Sequence, residues 1–124
     1  MLAFVDAAAL AATITGRSSA LLDAWDGADV VCRSEWAEIE TPHLVGDDLA
    51  GLRMAWTWLL HQAPGIAITD AIRFAAADLA ERGCPPMTAV QLATAIEVNC
   101  ELIVTADQAM ATWAEHAGLA TLLT

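Results

Sequence analysis

The chain has 124 residues, the length of one domain with a single packed core, and no linker or repeat marks a second domain within residues 1–124. Its formal net charge is −11, with five arginines and no lysine, which argues against a broad basic surface that grips phosphates. Nucleic acid remains compatible with this charge through bound divalent cations, and the acidic field favours a basic protein partner.

The cysteine content and the hydropathy pattern indicate a protein of the cytoplasm. The three cysteines are odd in number and include no Cys-x-x-Cys pair, which argues against a disulfide framework or a zinc site. The first 16 residues lack the basic leading region of a signal peptide and carry Asp6 in their middle. No stretch has the length and apolar character of a membrane span, so we expect no contact with a membrane.

Short apolar runs alternate with helical patterns along the whole chain, and the 28 alanines predict closely packed helices around a small sheet. This alternation favours a parallel sheet that is covered by helices on both faces. In chain order, the expected elements are strand 2–5, helix 7–13, helix 20–25, strand 29–32, helix 35–40 with Ser34 as its cap and ending before Pro42, helix 47–60, strand 66–68, helix 70–82, helix 88–98, strand 102–105, a helix after Asp107, and an edge strand 120–123.

The helix and strand near the C-terminus carry the clearest local signals. Thr88 and Gln91 have the spacing of a capping box, and Asn99 is a stop signal for the helix that they begin. Thr105 and Gln108 form a second box at the start of the last helix. A buried strand therefore connects two helices and has a carboxylate, Asp107, just after its C-terminal end.

Two aspartates follow buried strands in the same way. Asp6 ends the strand at the N-terminus, and Asp107 follows the strand 102–105. Ligands of parallel sheets bind beyond the carboxyl ends of the strands, so neighbouring strands would bring both carboxylates into one crevice that binds a divalent cation. The alternative for each residue is a capping or helix-dipole role alone.

A glutamate near the second strand is the third candidate for this crevice. Glu38 has no capping role to fill, and Glu40 is its substitute. The alternative is that Glu35 and Glu38 form a solvated face of their helix. The histidines His43, His61 and His116 are isolated in sequence, so we assign them no role in the site.

Three segments in this order resemble the PIN domain family, especially the VapC-type toxin ribonucleases. Residues 4–10 (FVDAAAL) are similar to the opening strand and first acid, and residues 31–38 (VCRSEWAE) to the second-acid segment. Residues 88–97 (TAVQLATAIE) with 102–107 (LIVTAD) are similar to the closing helix and strand. The resemblance implies a three-layer α/β fold with a short parallel sheet of four to five strands and about seven helices.

The resemblance also implies an activity and a set of site residues. Asp6, Glu38 and Asp107 would be the catalytic residues and the ligands of Mg²⁺ or Mn²⁺, with Thr105 and Thr88 in support. The metal would activate water for hydrolysis of an RNA phosphodiester. The implied protein is a homodimer that is inhibited by a basic antitoxin.

Two departures from the family pattern favour a different hypothesis. Thr88 stands where the family usually has an acid, and Ala8 stands where it commonly has Ser or Thr. The alternative is a catalytically weakened or inactive PIN-like domain that serves as a protein-binding or assembly module. A receiver domain would need a lysine, and a haloacid-dehalogenase-like hydrolase would need an aspartate at Ala8, so both classes are excluded.

Overall fold

The computed structural model describes residues 1–124 as a parallel β-sheet between two layers of helices. Seven α-helices surround five strands, and the fourth helix continues into a π-helical segment, Trp58–Gln62. The strands are β1 (Leu2–Val5), β2 (Val30–Ser34), β3 (Gly65–Ile66), β4 (Leu102–Thr105) and β5 (Ala120–Leu123). The helices are α1 (Ala7–Ile14), α2 (Ala20–Gly27), α3 (Ala37–Val45), α4 (Leu49–Thr57), α5 (Asp70–Glu81), α6 (Pro86–Glu97) and α7 (Gln108–His116).

The sheet has the order β3-β2-β1-β4-β5, and every neighbouring pair of strands is parallel. Successive residues of β1 point to opposite faces, so Ala3 and Val5 belong to one core cluster while Phe4 belongs to another. Helices cover both clusters, which confirms the three-layer α/β architecture. None of the helices combines the length and apolar character needed to span a bilayer.

The two strands that end at the candidate aspartates lie side by side. Val5 of β1 is in register with Val104 of β4, and the backbone N–H of Asp6 donates to the carbonyl of Val104 at 3.1 Å. The predicted adjacency of the first and penultimate strands is therefore confirmed.

The segment between β2 and α3 differs from the prediction. Ser34 is the last residue of β2 rather than a helix cap, and α3 begins at Ala37 and continues past Pro42 to Val45. Burial of Ala37 and Thr41 accompanies the packing of α3 against α1, and this packing outweighs the local preference against a helical residue before proline.

The two predicted capping boxes are also wrong in detail. Helix α6 begins two residues earlier, at Pro86, so Thr88 lies inside its first turn and its hydroxyl can bond elsewhere. Helix α7 is capped by Asp107 rather than by Thr105. Asn99 follows α6 with a φ of 53°, the left-handed conformation expected of a stop residue.

Arg33 of β2 is buried and connects this edge of the sheet to the end of the π-helical segment. Its Nη2 donates to the carbonyl of Leu59 at 2.6 Å, and its Nε donates to the carbonyl of Ala63 at 3.2 Å. These carbonyls have no partner within a continuing helix, so the guanidinium satisfies them. A Cβ atom at Gly65 would lie only 2.7 Å from Nη1 of Arg33, so β3 needs glycine there.

Candidate active site

Asp6 stands at the C-terminal end of β1 and caps α1. Its Oδ1 accepts a hydrogen bond from the backbone N–H of Ala9 at 2.8 Å, and its Oδ2 accepts one from the hydroxyl of Thr105. The residue is only 4 % exposed. Burial raises the pKa of Asp6 to about 6, and the charges of Asp107 and Glu40 add to this effect, while the two hydrogen bonds oppose it.

Asp107 lies two residues beyond β4 and caps α7. Its Oδ1 accepts from the backbone N–H of Ala109 at 3.0 Å, and its Oδ2 accepts from the hydroxyl of Thr88 at 3.3 Å. Its own N–H donates to the hydroxyl oxygen of Thr105 at 2.9 Å. Buried Thr105 therefore connects the two aspartates, and Thr88 holds the second of them from the side of α6.

Glu40 reaches this cleft, and Glu38 does not. Both residues are on α3 but two positions apart, so their side chains point to different faces of the helix. Glu38 is 47 % exposed and forms an ion pair with Nη1 of Arg33 at 3.0 Å. Glu40 lines the cleft together with Asp6 and Asp107. The structure therefore places Glu40, the substitute, in the cleft with the two aspartates and places Glu38 outside it.

The environment of Glu40 is partly apolar and partly acidic. Its pKa is raised, chiefly because of burial and also because of the charge of Asp107. Side-chain interactions with Gln91 and Trp36 and the charge of His43 oppose this shift. Glu40 Oε1 is nevertheless buried without a hydrogen bond of standard geometry.

Gln91 is a cleft residue that the sequence analysis assigned only to a helix cap. Its side chain is 4 % exposed, and neither its amide oxygen nor its amide nitrogen has a hydrogen-bond partner of standard geometry in the protein. The available signal was its position one turn after Thr88, which places both on one face of α6. Gln91 and Thr88 supply neutral polar groups opposite the acids.

The cleft is small, about 50 Å³, and its chemistry fits a hard cation better than its geometry does. Carboxylate oxygens are the preferred ligands of Mg²⁺, and each aspartate oxygen keeps a lone pair after its hydrogen bond. However, no three acidic, histidine or cysteine side chains converge closely enough to hold a metal ion as they stand. The donor set therefore fits a cation that is held directly by few side chains and otherwise by water.

The sheet order, the helical layers and the aspartates at the ends of β1 and β4 define a PIN-like fold. The chain is similar to a chain in the crystal structure of VapBC2 from Rickettsia felis bound to a DNA fragment from their promoter. The TM-score is 0.75 at 12 % identity, over 100 % of this chain and 99 % of the other. No protein-family model and no curated protein matches the sequence. At this identity the likeness establishes the fold.

Proposed function

We propose that the protein is a divalent-metal-dependent endoribonuclease of the VapC toxin type. The observation that carries the proposal is the pair of aspartates at the ends of β1 and β4, joined through the hydroxyl of Thr105, with Glu40 in the same cleft. Carboxylates placed beyond the ends of neighbouring parallel strands are a general arrangement for ligand binding and metal-assisted hydrolysis.

Asp6, Asp107 and Glu40 would hold the cation, Mg²⁺ or Mn²⁺. When bound, such a cation would supply a water of lowered pKa and would neutralise charge on the leaving oxygen of the phosphodiester. Thr105 and the N–H of Ala9 fix the Asp6 carboxylate, and Thr88 orients Asp107. The Gln91 amide has no hydrogen bond of standard geometry and can donate one to a phosphate oxygen at the cleft.

The charge and the likeness to VapBC2 support a proposal about partners. A net charge of −11 attracts a basic protein segment, such as the antitoxin of a VapC-type toxin. We further propose a homodimer that works in the cytoplasm, where its three buried free cysteines would stay reduced.

A second candidate is a PIN-like module that has kept the fold but binds or assembles rather than cleaves. Two observations favour it: Thr88 occupies the position of a family acid, and no three potential ligands converge on one point. Under this hypothesis Asp6 and Asp107 serve only as helix caps.

Cleavage of a structured RNA in the presence of Mg²⁺ or Mn²⁺ separates the two candidates. We expect wild-type activity that a chelator removes and that Asp6→Asn and Asp107→Asn each lower by at least about 100-fold, because direct ligands matter more than the groups that orient them. Asp48→Asn is the matched control, since Asp48 also caps a helix but lies outside the cleft. Cleavage indifferent to Asp6 excludes the metal mechanism, and no cleavage with any metal favours the module.

A further inference from the structure

We propose that a groove beside the acidic cleft binds one nucleotide unit of the RNA, with the guanidinium of Arg17 on its phosphate; this inference rests on the proposed function. The groove has a volume of about 340 Å³. This volume lies at the lower end of those that hold small organic ligands.

The groove continues the cleft along α1, and residues Ala106 and Thr124, near the ends of β4 and β5, line it as well. Ala8 lines both cavities, and Ala11 and Ala12, on the same face of α1, line the groove. Helix α3 contributes Glu40 to the cleft and Leu44, one turn later, to the groove. A strand with one phosphate in the cleft therefore has a continuous path into the groove.

Arg17 provides a positive charge that no carboxylate of the protein neutralises. Its Nε donates to the hydroxyl of Thr15 at 2.9 Å, and no acid lies within ion-pair distance. In contrast, Arg73 and Arg82 pair with aspartates one turn away, at 2.9 and 2.8 Å. A planar guanidinium with free N–H groups matches two oxygens of a phosphate.

The lining of the groove leaves room for a sugar and a base. On α1 it consists of alanines, whose side chains end at Cβ, and on α3 it includes the apolar side chain of Leu44, which is 43 % exposed. From Ala8 to Ile14, α1 rises about 9 Å, so Arg17 beyond its end is within reach of a phosphate that neighbours the one in the cleft.

Another cavity of similar size makes a poorer phosphate site. It lies between α3 and α5 and contains Arg73, but Glu35 and Glu38 line it as well. Its arginine is already paired, and the two glutamates repel an anion. The groove with Arg17 is therefore the better site for an RNA backbone.

The test is binding of a fluorescein-labelled single-stranded RNA of about 12 nucleotides in the presence of Ca²⁺, an oxygen-binding cation that neutralises the carboxylates of the cleft in place of Mg²⁺ or Mn²⁺. We expect Arg17→Gln to weaken binding about tenfold and to lower the slope of log affinity against log salt by about 0.7. Arg53→Gln is the matched control, because Arg53 is also exposed and unpaired but lines none of the cavities. It should stay within about twofold of the wild type.

A second pair of variants tests the groove independently of arginine. Leu44→Glu places a negative charge at the edge of the groove, whereas Leu49→Glu places the same charge at an exposed position, 62 % accessible, on α4. We expect only Leu44→Glu to weaken binding, by about fivefold to tenfold. Equal effects within either pair, or no binding of RNA by the wild type, overturn the proposal.

The binding results and the cleavage assay fail independently. Binding that depends on Arg17 in a protein that never cleaves RNA would retain the groove and reject the nuclease. Cleavage that depends on Asp6 while Arg17→Gln binds as the wild type does would retain the nuclease and reject the groove.

Discussion

At the level of single residues, the candidate site brings several acidic side chains together in a partly buried cleft. Asp6 is buried, and its nearest charged neighbours in the cleft are the acids Asp107 and Glu40. Its hydrogen bonds to Ala9 and Thr105 offset only part of the free-energy cost of burying its negative charge, so its pKa rises to about 6. A bound cation or a basic side chain of a partner would stabilise this buried carboxylate.

This cost predicts how Asp6→Asn changes stability with pH. Between the ordinary pKa of 3.8 and the native value of about 6, the folded state binds the Asp6 proton more tightly than the unfolded state, so stability declines as pH rises through this window. A shift of about two units corresponds to about 3 kcal/mol. In the presence of EDTA, we expect Asp6→Asn to gain about 1 to 3 kcal/mol over the wild type at neutral pH and to lose that advantage near pH 4.

Urea denaturation across this pH range measures the effect. Asparagine caps a helix about as well as aspartate, so the α1 cap itself should change little. Asp48→Asn, at the exposed cap of α4, is the control and should differ from the wild type by less than about 0.5 kcal/mol at any pH. An Asp6→Asn protein less stable than the wild type at neutral pH would contradict the account of a costly buried charge.

At the scale of elements, the start of α6 decides what the side chain of residue 88 can contact. Because α6 begins at Pro86, residue 88 lies in its first turn, and the Thr88 hydroxyl is 3.3 Å from Oδ2 of Asp107. A carboxylate at this position would extend the acidic cluster instead of capping the helix. Thr88 therefore fits the structure and contacts Asp107 without adding a negative charge to the cleft.

Adding that charge with Thr88→Asp should strengthen Mn²⁺ binding about tenfold, because hard cations gain from each added carboxylate. The same change should destabilise the protein in EDTA by about 1 kcal/mol through repulsion of Asp107. Thr88→Asn has nearly the same shape without the charge and should do neither. Calorimetric titration measures the Mn²⁺ affinity, and urea denaturation measures the free energy of unfolding. Equal Mn²⁺ affinity of the Asp and Asn variants would show that residue 88 is not part of the site.

The contact between β2, β3 and the π-helical segment makes a separate prediction about stability. Arg33 is held by the carbonyls of Leu59 and Ala63, so it cannot easily retreat from a Cβ atom 2.7 Å from its Nη1. We expect Gly65→Ala to lower the free energy of unfolding by about 1 to 3 kcal/mol. Gly27→Ala is the control, since a Cβ there meets nothing within 4 Å, and it should be neutral or stabilising. Denaturant titration measures the free energy of unfolding of both variants and shows whether each is lower or higher than that of the wild type.

At the scale of the whole molecule, much of the fold was readable from the sequence because its strands are short apolar runs between recognisable helix signals. The pattern predicted the parallel layers, and the structure confirmed that β1 and β4 are neighbours. It misplaced α3, because Ser34 looked like a helix cap and Pro42 like a stop, whereas packing on α1 decides both. Where α3 begins and how it packs decide which of its glutamates faces the cleft, so the sequence alone did not distinguish Glu38 from Glu40.

The position of Gln91 in the cleft was also not predictable from the sequence, since a glutamine on an apolar helix is equally suited to a cap, a core contact or a cleft. Only the arrangement of α6 beside Asp107 and α3 places its unpaired amide among the acids. The same limit holds for Arg17, because only the structure shows that it lines a groove and that it lacks the ion pairs that Arg73 and Arg82 form.

We propose that Asp6, Asp107 and Glu40 form one cation site and that Glu38 lies outside it. Mn²⁺ titration of the wild type, Glu40→Gln and Glu38→Gln tests this most directly, because the two variants remove the same charge from the same helix. We expect Glu40→Gln to weaken Mn²⁺ binding about tenfold and Glu38→Gln, which keeps a hydrogen-bond acceptor for Arg33, to stay within about twofold of the wild type. The reverse order, or no Mn²⁺ binding by the wild type, would contradict this proposal.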